Sequence, residues 1–281
     1  MKGGRQQGLT LVELLVAMAL IGIVMTALLN FFTQGSRIST QSSSRAELQQ
    51  EILNAQQLIA GKLKEAFYIY PPGSSNITLT TTDLTRNPLT SGNTWNITST
   101  ATDNHPMLAM ILPPRNLALG CVAATTAAPD PAGCYRFIAY YPVKRSDWLR
   151  GTVADSARNP GADANNDTSA WVLAEYRRVM PTTFTPSAFP FTAAPTPPTS
   201  STANILSDYI APTNASGALY TMFTYTTSNW QDDTSKPYVT SVTVNLSTTR
   251  NAGGKVLRLP NATDEYSITV YPTNLGKIAA N

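Results

Sequence analysis

The chain has 281 residues, 42% of them apolar and 13% charged, with a formal net charge of +3. The charged share is about half that of an ordinary soluble domain, and a balance so near neutral cannot by itself carry a nucleic-acid or anionic-membrane partner. The only histidine, His105, excludes catalytic or metal chemistry that needs two imidazoles, and there are just two cysteines.

Met1 to Gly8 is polar, with Lys2 and Arg5 and no acid, whereas the 24 residues from Leu9 to Phe32 carry one formal charge, Glu13. As a helix that run extends about 36 Å, enough to cross a hydrocarbon core of about 30 Å. The basic leader places the N-terminus in the cytoplasm and the rest of the chain outside. A secretory signal would have a small-residue cleavage site after the apolar run; the residues there, Asn30-Phe31-Phe32-Thr33-Gln34-Gly35, offer none.

A glycine closing a short basic leader, directly before the apolar run and with a glutamate five residues on, resembles the type IV prepilin signal. The resemblance implies cleavage between Gly8 and Leu9 by a prepilin peptidase, methylation of the new amine on Leu9, and retention of the helix in the mature protein. It also gives Glu13 a role. An ionised carboxylate in hydrocarbon costs several kcal/mol unless paired or near the interface, and in pilins the matching glutamate is thought to pair with a neighbouring subunit's N-terminal amine. The alternative is a glutamate that snorkels at the interface of a plain membrane anchor.

Nothing from Thr33 to Arg37 forces the helix to stop, although Gly22 and the Gly35-Ser36 pair are soft points. From Arg45, apolar residues recur on one face at Leu48, Ile52, Ala55, Ile59, Leu63 and Phe67. Pro71-Pro72-Gly73 ends the segment. The expected organisation is a leader over 1–8, a membrane or filament-core helix over 9–33, an amphipathic continuation over 34–70, and an extracytoplasmic β-rich head over 71–281. This is an α+β, pilin-like architecture: a long N-terminal helix packed on an antiparallel head.

Within the head, alternation around Ile77 and around Trp95 predicts half-buried strands, and Met107 to Leu112 one buried on both faces. Cys121 and Cys134 flank an Ala/Thr/Pro loop; in an oxidising compartment they pair, and otherwise they are two buried thiols. Tyr135 to Tyr141 reads as an aromatic strand stopped by Pro142, paired with Ala170 to Arg178. An aromatic strand leading to Trp148-Leu149-Arg150, followed by a Val-Leu-Ala-Glu-Tyr-Arg strand, resembles the larger minor pilins and pseudopilins of the PilW and GspJ type. Pro181 to Pro212 reads as an extended surface loop with polyproline character. The last third returns to strands at Leu219–Tyr225, Tyr238–Leu246 and Tyr266–Tyr271, with a turn at Asn251-Ala252-Gly253-Gly254.

Two constellations bear on function. Asp163, Asn165 and Asp167 alternate as in the start of a calcium loop, but Thr168 stands where the glycine belongs and Ala174 where the glutamate belongs, so a solvated turn is the competing reading. Lys144, Arg145, Arg150, Arg177 and Arg178, interleaved with Tyr140, Tyr141, Trp148 and Tyr176, are candidates for DNA contact through phosphates and stacking, or else an interface or a solvated face. His105, before Pro106, reads as a surface residue. No phosphate loop, nucleophile elbow or metal spacing is present, and neither an enzyme nor a cofactor is expected. The functional expectation is a minor pilin or pseudopilin, stored in the inner membrane and incorporated into a type IV pilus or related filament. Its partners would be other pilins, the prepilin peptidase and the inner-membrane assembly platform. A type II secretion pseudopilin and a DNA receptor at a pilus tip are the alternatives. A large head, and Asn30 where pilins carry a proline, favour an initiating or tip-proximal subunit.

Overall fold

The computed structural model describes residues 10–73, 76–80, 82–97, 107–116, 118–124, 130–153, 155, 157–199, 203–214 and 216–277. Helix α1 runs unbroken from Leu11 to Glu65, 55 residues or about 80 Å, through Gly22 and the Gly35-Ser36 pair. It stops six residues before Pro71, earlier than the amphipathic pattern suggests. The cause lies in the sheet: Ala66 turns extended, and the amides of Phe67 and Tyr70 donate to the carbonyls of Ile111 and Ala109 at 2.9 and 3.0 Å. Phe67 keeps the buried place its spacing predicts, but as the entry to strand β1, Tyr68–Ile69.

The head holds two principal sheets. The larger contains β1, β4 (Leu108–Leu112), β5 (Arg136–Lys144), β6 (Trp171–Val179), β7 (Ala203–Ile210), β10 (Thr248–Ala252) and β11 (Lys255–Leu259), adjacent in that order and antiparallel. The smaller places β9 (Asp233–Leu246) between β12 (Tyr266–Val270) and β8 (Phe223–Trp230). The strands β2 (Ile77–Thr78) and β3 (Thr94–Trp95) make a separate small pair. The C-terminal half of α1 packs against β7, β10 and β11 of the large sheet and β9 and β12 of the small one.

Several expectations hold and several need correction. All five residues of β4 are buried, as a continuous apolar run demands, and β5 pairs with β6 from Arg136↔Val179 to Lys144↔Trp171. Pro142 does not stop β5. The β4–β5 pairing stops at Leu108 opposite Tyr140, so beyond that point no described strand pairs with the outer edge of β5 and a residue without an N–H is tolerated there. Arg145 to Gly151 is not a continuation of that strand but a helix, α2, begun near Asp147 and closed near Arg150 in accord with the helix dipole. The stretch from Pro181 to Pro212 is not wholly a surface loop: β7 lies inside the large sheet, and Phe184, Phe189 and Phe191 pack against the core around Phe67. The Gly253-Gly254 turn joins β10 to β11, two strands the sequence does not announce. Both glycines have positive φ, 59° and 77°, as the tightest hairpin turn requires. His105 lies outside the described residues.

Candidate functional site

The N-terminal end of α1 is the feature to which the sequence assigns chemistry. Gly8 and Leu9 lie outside the described residues. Thr10 is the N-cap, and Glu13 completes a reciprocal capping box. The Thr10 amide and hydroxyl donate to Glu13 Oε2 at 2.9 and 3.0 Å, and the Glu13 amide donates back to the Thr10 hydroxyl at 3.3 Å. The glutamate is thereby held at the helix end. The carboxylate answers the Thr10 amide and the Thr10 hydroxyl answers the Glu13 amide, an arrangement that contributes about 1 kcal/mol in water.

From Leu14 to Phe32 the helix packs against none of the described residues outside itself. Every large apolar side chain from Leu11 to Phe32 is between 47% and 78% exposed, and this part of α1 is apolar and long enough to span a bilayer. The contrast with the second half is sharp. Leu48, Ile52, Ala55, Ile59 and Leu63 are each no more than 1% exposed, so one helix is divided into a half seated on its own head and a half that can be covered only by lipid or by other chains.

Polar contacts fix the seated half in register. Gln56 is buried and its amide donates to the carbonyls of Val244 and Tyr266, at 3.1 and 2.5 Å, bridging two strands of the small sheet. Arg250 on β10 pairs with Glu47 at 3.1 Å, and the amide of Asp208 on β7 donates to Glu51 at 2.5 Å. Burial is the main cause raising the Glu51 carboxyl above its usual range; the Asp208 carboxylate adds to it, against the opposing hydrogen bond from the Asp208 amide. Behind these contacts sits Arg145, 1% exposed, whose Nε donates to Asp208 at 3.0 Å while its guanidinium also binds Asp167 and the Gly161 carbonyl. The ring of Tyr209 lies between Arg145 and Arg250, at 5.0 and 4.5 Å from the two guanidinium carbons. Desolvation and the hydrogen bond to Asp163 push its phenol up to about 12.

The N-terminal stretch matches the prokaryotic N-terminal methylation motif over residues 3–29. A motif of this kind supports a type IV pilin-like protein. The chain has no significant match among curated proteins or solved structures. The motif spans most of the polar N-terminal segment, the Gly8–Leu9 junction and most of the unpartnered half-helix. It therefore implies processing by a prepilin peptidase and assembly with other pilins, and an apolar helix so placed fits a membrane-anchored pilin.

The head does not assemble the basic, aromatic surface suggested by the sequence. Tyr140, Tyr141, Trp148 and Tyr176 are core residues, each 0% exposed, and none offers a face for base stacking. Arg145 is consumed as described; Arg150 lies between Asp83 and Asp147 at 2.8 and 2.7 Å, and Arg177 pairs with Glu175 at 2.8 Å. Lys144 and Arg178, at opposite ends of the β5–β6 pair, are the two of the five that form no ion pair among the described residues. Residue types alone could not show this for Arg145 and Arg150, because Asp167, Asp208 and Asp83 lie 22, 63 and 67 residues away in sequence.

The alternating turn is likewise committed. Asp163 accepts from Tyr209 and Asn166, Asp167 accepts the Asp163 amide and faces Arg145, and the Asn165 amide closes back onto Asp163. The positive charge facing these carboxylates is Arg145, which explains the spacing without a bound cation. Cys121 and Cys134 form a disulfide at the end of the head where α1 terminates, near Tyr135 and the Phe67 cluster. Closing so short a loop contributes about 3 kcal/mol in the chain-entropy view.

Proposed function

We propose that the chain is a minor pilin or pseudopilin. In this reading it is cleaved after Gly8, methylated on Leu9, stored in the inner membrane with its head outside, and drawn into a type IV pilus or related filament near the initiating end. The observation that carries the reading is the coincidence of the methylation motif with the one half of α1 that the chain leaves uncovered. Its role is mechanical rather than catalytic. Leu9 supplies an amine, Glu13 a countercharge already aimed at the helix terminus, and Leu11 to Phe32 the apolar surface that packs against other helices. The buried seam from Leu48 to Leu63 transmits the helix position to the head.

A large head and a helix that passes Asn30 without interruption support a subunit used sparingly rather than a densely repeated one. The type II secretion variant shares each of these features and differs in the machine served. DNA capture is the weaker reading, since the aromatic side chains it needs are in the core. Replacement of Glu13 tests the proposal: Glu13→Ala should leave the protein in the membrane fraction and the head folded while reducing incorporation into sheared filaments at least tenfold. Undiminished incorporation would reduce the helix to an anchor.

A further inference from the structure

The head has a base, the face nearest the apolar half of α1, and that face is basic. The β10–β11 turn meets α1 where burial of the helix begins, at Gln41. A Cβ on Gly253 would lie 3.3 Å from the Arg37 carbonyl oxygen and 3.4 Å from the Gln41 side chain, so the turn rests on the helix at that level. Arg37 is five residues past Phe32, about 8 Å along the axis, and Gln41 about 14 Å. The headgroup layer beyond a hydrocarbon core of about 30 Å is itself about 5 to 8 Å deep. If Phe32 ends the membrane-embedded run, the hairpin tip stands at the lipid headgroups or just above them.

The unpaired charges beside this turn are mainly basic, with the exposed Asp264, hydrogen-bonded to Asn261, as an acid at the far rim of the groove. Arg37, Arg45 and Lys255 are exposed and have no carboxylate partner among the described residues, and Glu47, the acid at this level of the helix, is taken by Arg250. No acidic residue occurs from Leu14 to Ala46. Beside Lys255, Val256 is 65% exposed, an apolar side chain at the rim of a polar hairpin. Between the helix and the hairpin opens a groove of about 700 Å3 whose lining includes Arg45, Asn165, Asn214, Lys255 and Arg258. Arg258 is itself engaged by Glu265 and by carbonyls, which leaves Arg45 and Lys255 as the free cations of the groove.

We propose that this base is a docking surface for anionic phospholipid headgroups in the outer leaflet of the membrane that α1 crosses. Arg37 and Lys255 contact phosphates, Arg45, about 20 Å along the axis from Phe32, acts on them at longer range, and Val256 sits at the interface. The inference rests on the membrane-stored reading above and adds a consequence. The stored head is held down on the bilayer in a defined orientation, and extraction into a filament must release it. Cations near an anionic surface each contribute about fivefold to occupancy, attenuated within about one Debye length. Arg37 and Lys255 therefore favour the docked head by up to about 25-fold, Arg45 adds less because it stands about one Debye length higher, and salt should weaken the contact.

The test uses the full chain carrying Val256→Cys, labelled with a fluorophore, in nanodiscs containing a headgroup-attached quencher. One set is phosphatidylcholine alone; the other has about one third phosphatidylglycerol. The expected result is markedly stronger quenching in the anionic discs, reversed by high salt and by the combined Arg37→Gln, Arg45→Gln, Lys255→Gln substitution, with the chain still inserted in both sets. Equal quenching in the two lipids, or quenching indifferent to the triple substitution, would overturn the proposal while leaving membrane storage intact. So would quenching changes that follow the number of chains per disc rather than the lipid, which would assign the surface to a second copy. Failure of the chain to insert into either disc would remove the storage reading and the docking surface with it.

Discussion

Ile52 and Ile23 occupy the same helix and have the same side chain, but Ile52 is 0% exposed in the seam and Ile23 67% exposed on the uncovered half. Truncating each to alanine removes the same atoms and should have opposite consequences. At position 52 the loss includes the transfer free energy and the void left between α1 and the sheets, about 2 to 4 kcal/mol for a site so enclosed. For a protein of this size that corresponds to a fall in Tm of roughly 5 to 15 °C. At position 23 no intramolecular contact is lost, so the change in head stability should be within about 0.5 kcal/mol. The assay is thermal unfolding of the full chain in mild detergent, followed by near-ultraviolet circular dichroism of the head aromatics, with filament yield scored for both variants. Ile52→Ala should melt early; Ile23→Ala should melt normally yet assemble less. Equal shifts in Tm, or a normal melt for Ile52→Ala, would refute the division of the helix into a seated and an uncovered half.

Other predictions follow from the seam. The folded state holds a proton on Glu51 more tightly than the unfolded chain does, so this contribution to stability is present at low pH and is lost as pH rises from 4.5 through the raised value. Glu51→Gln, which can still accept the Asp208 amide, should be at least as stable as the parent at pH 7 and flatten that part of the profile in denaturant titrations; lower stability at neutral pH would contradict it. Arg145→Met leaves Asp167 and Asp208 facing each other without a cation and should cost about 3 kcal/mol, somewhat relieved by their partial exposure. Adding Asp167→Asn and Asp208→Asn should recover part of that loss, and no recovery in the same titration would show that packing rather than charge is at stake.

The extent to which this fold is legible in sequence varies with the range of the interactions that make it. The N-terminal motif, the spanning run and the seam from Leu48 to Leu63 are written in local spacing, because a helix brings residues three and four apart onto one face. Strands β4, β5 and β6 carry long apolar or aromatic runs and are readable for the same reason. Strand β7 is not: Asn204, Ser207 and Asp208 interrupt its pattern, since part of this strand meets polar groups such as Glu51 and Arg145 rather than core. Helix α2 is too short to show a period. The basic patch fails for a related reason, in that pairing of Arg145 with Asp208 and of Arg150 with Asp83 is a property of the closed fold and leaves no mark in either segment alone.

The central claim is that α1 is a processed assembly helix, and the most direct measurement is mass spectrometry of the mature N-terminus in cells with and without a prepilin peptidase. The account predicts a chain that begins at Leu9 with a methylated amine when the peptidase is present, and an intact leader through Gly8 when it is absent. A mature protein that retains Met1 in the presence of the peptidase, or one cleaved beyond Phe32, would contradict it.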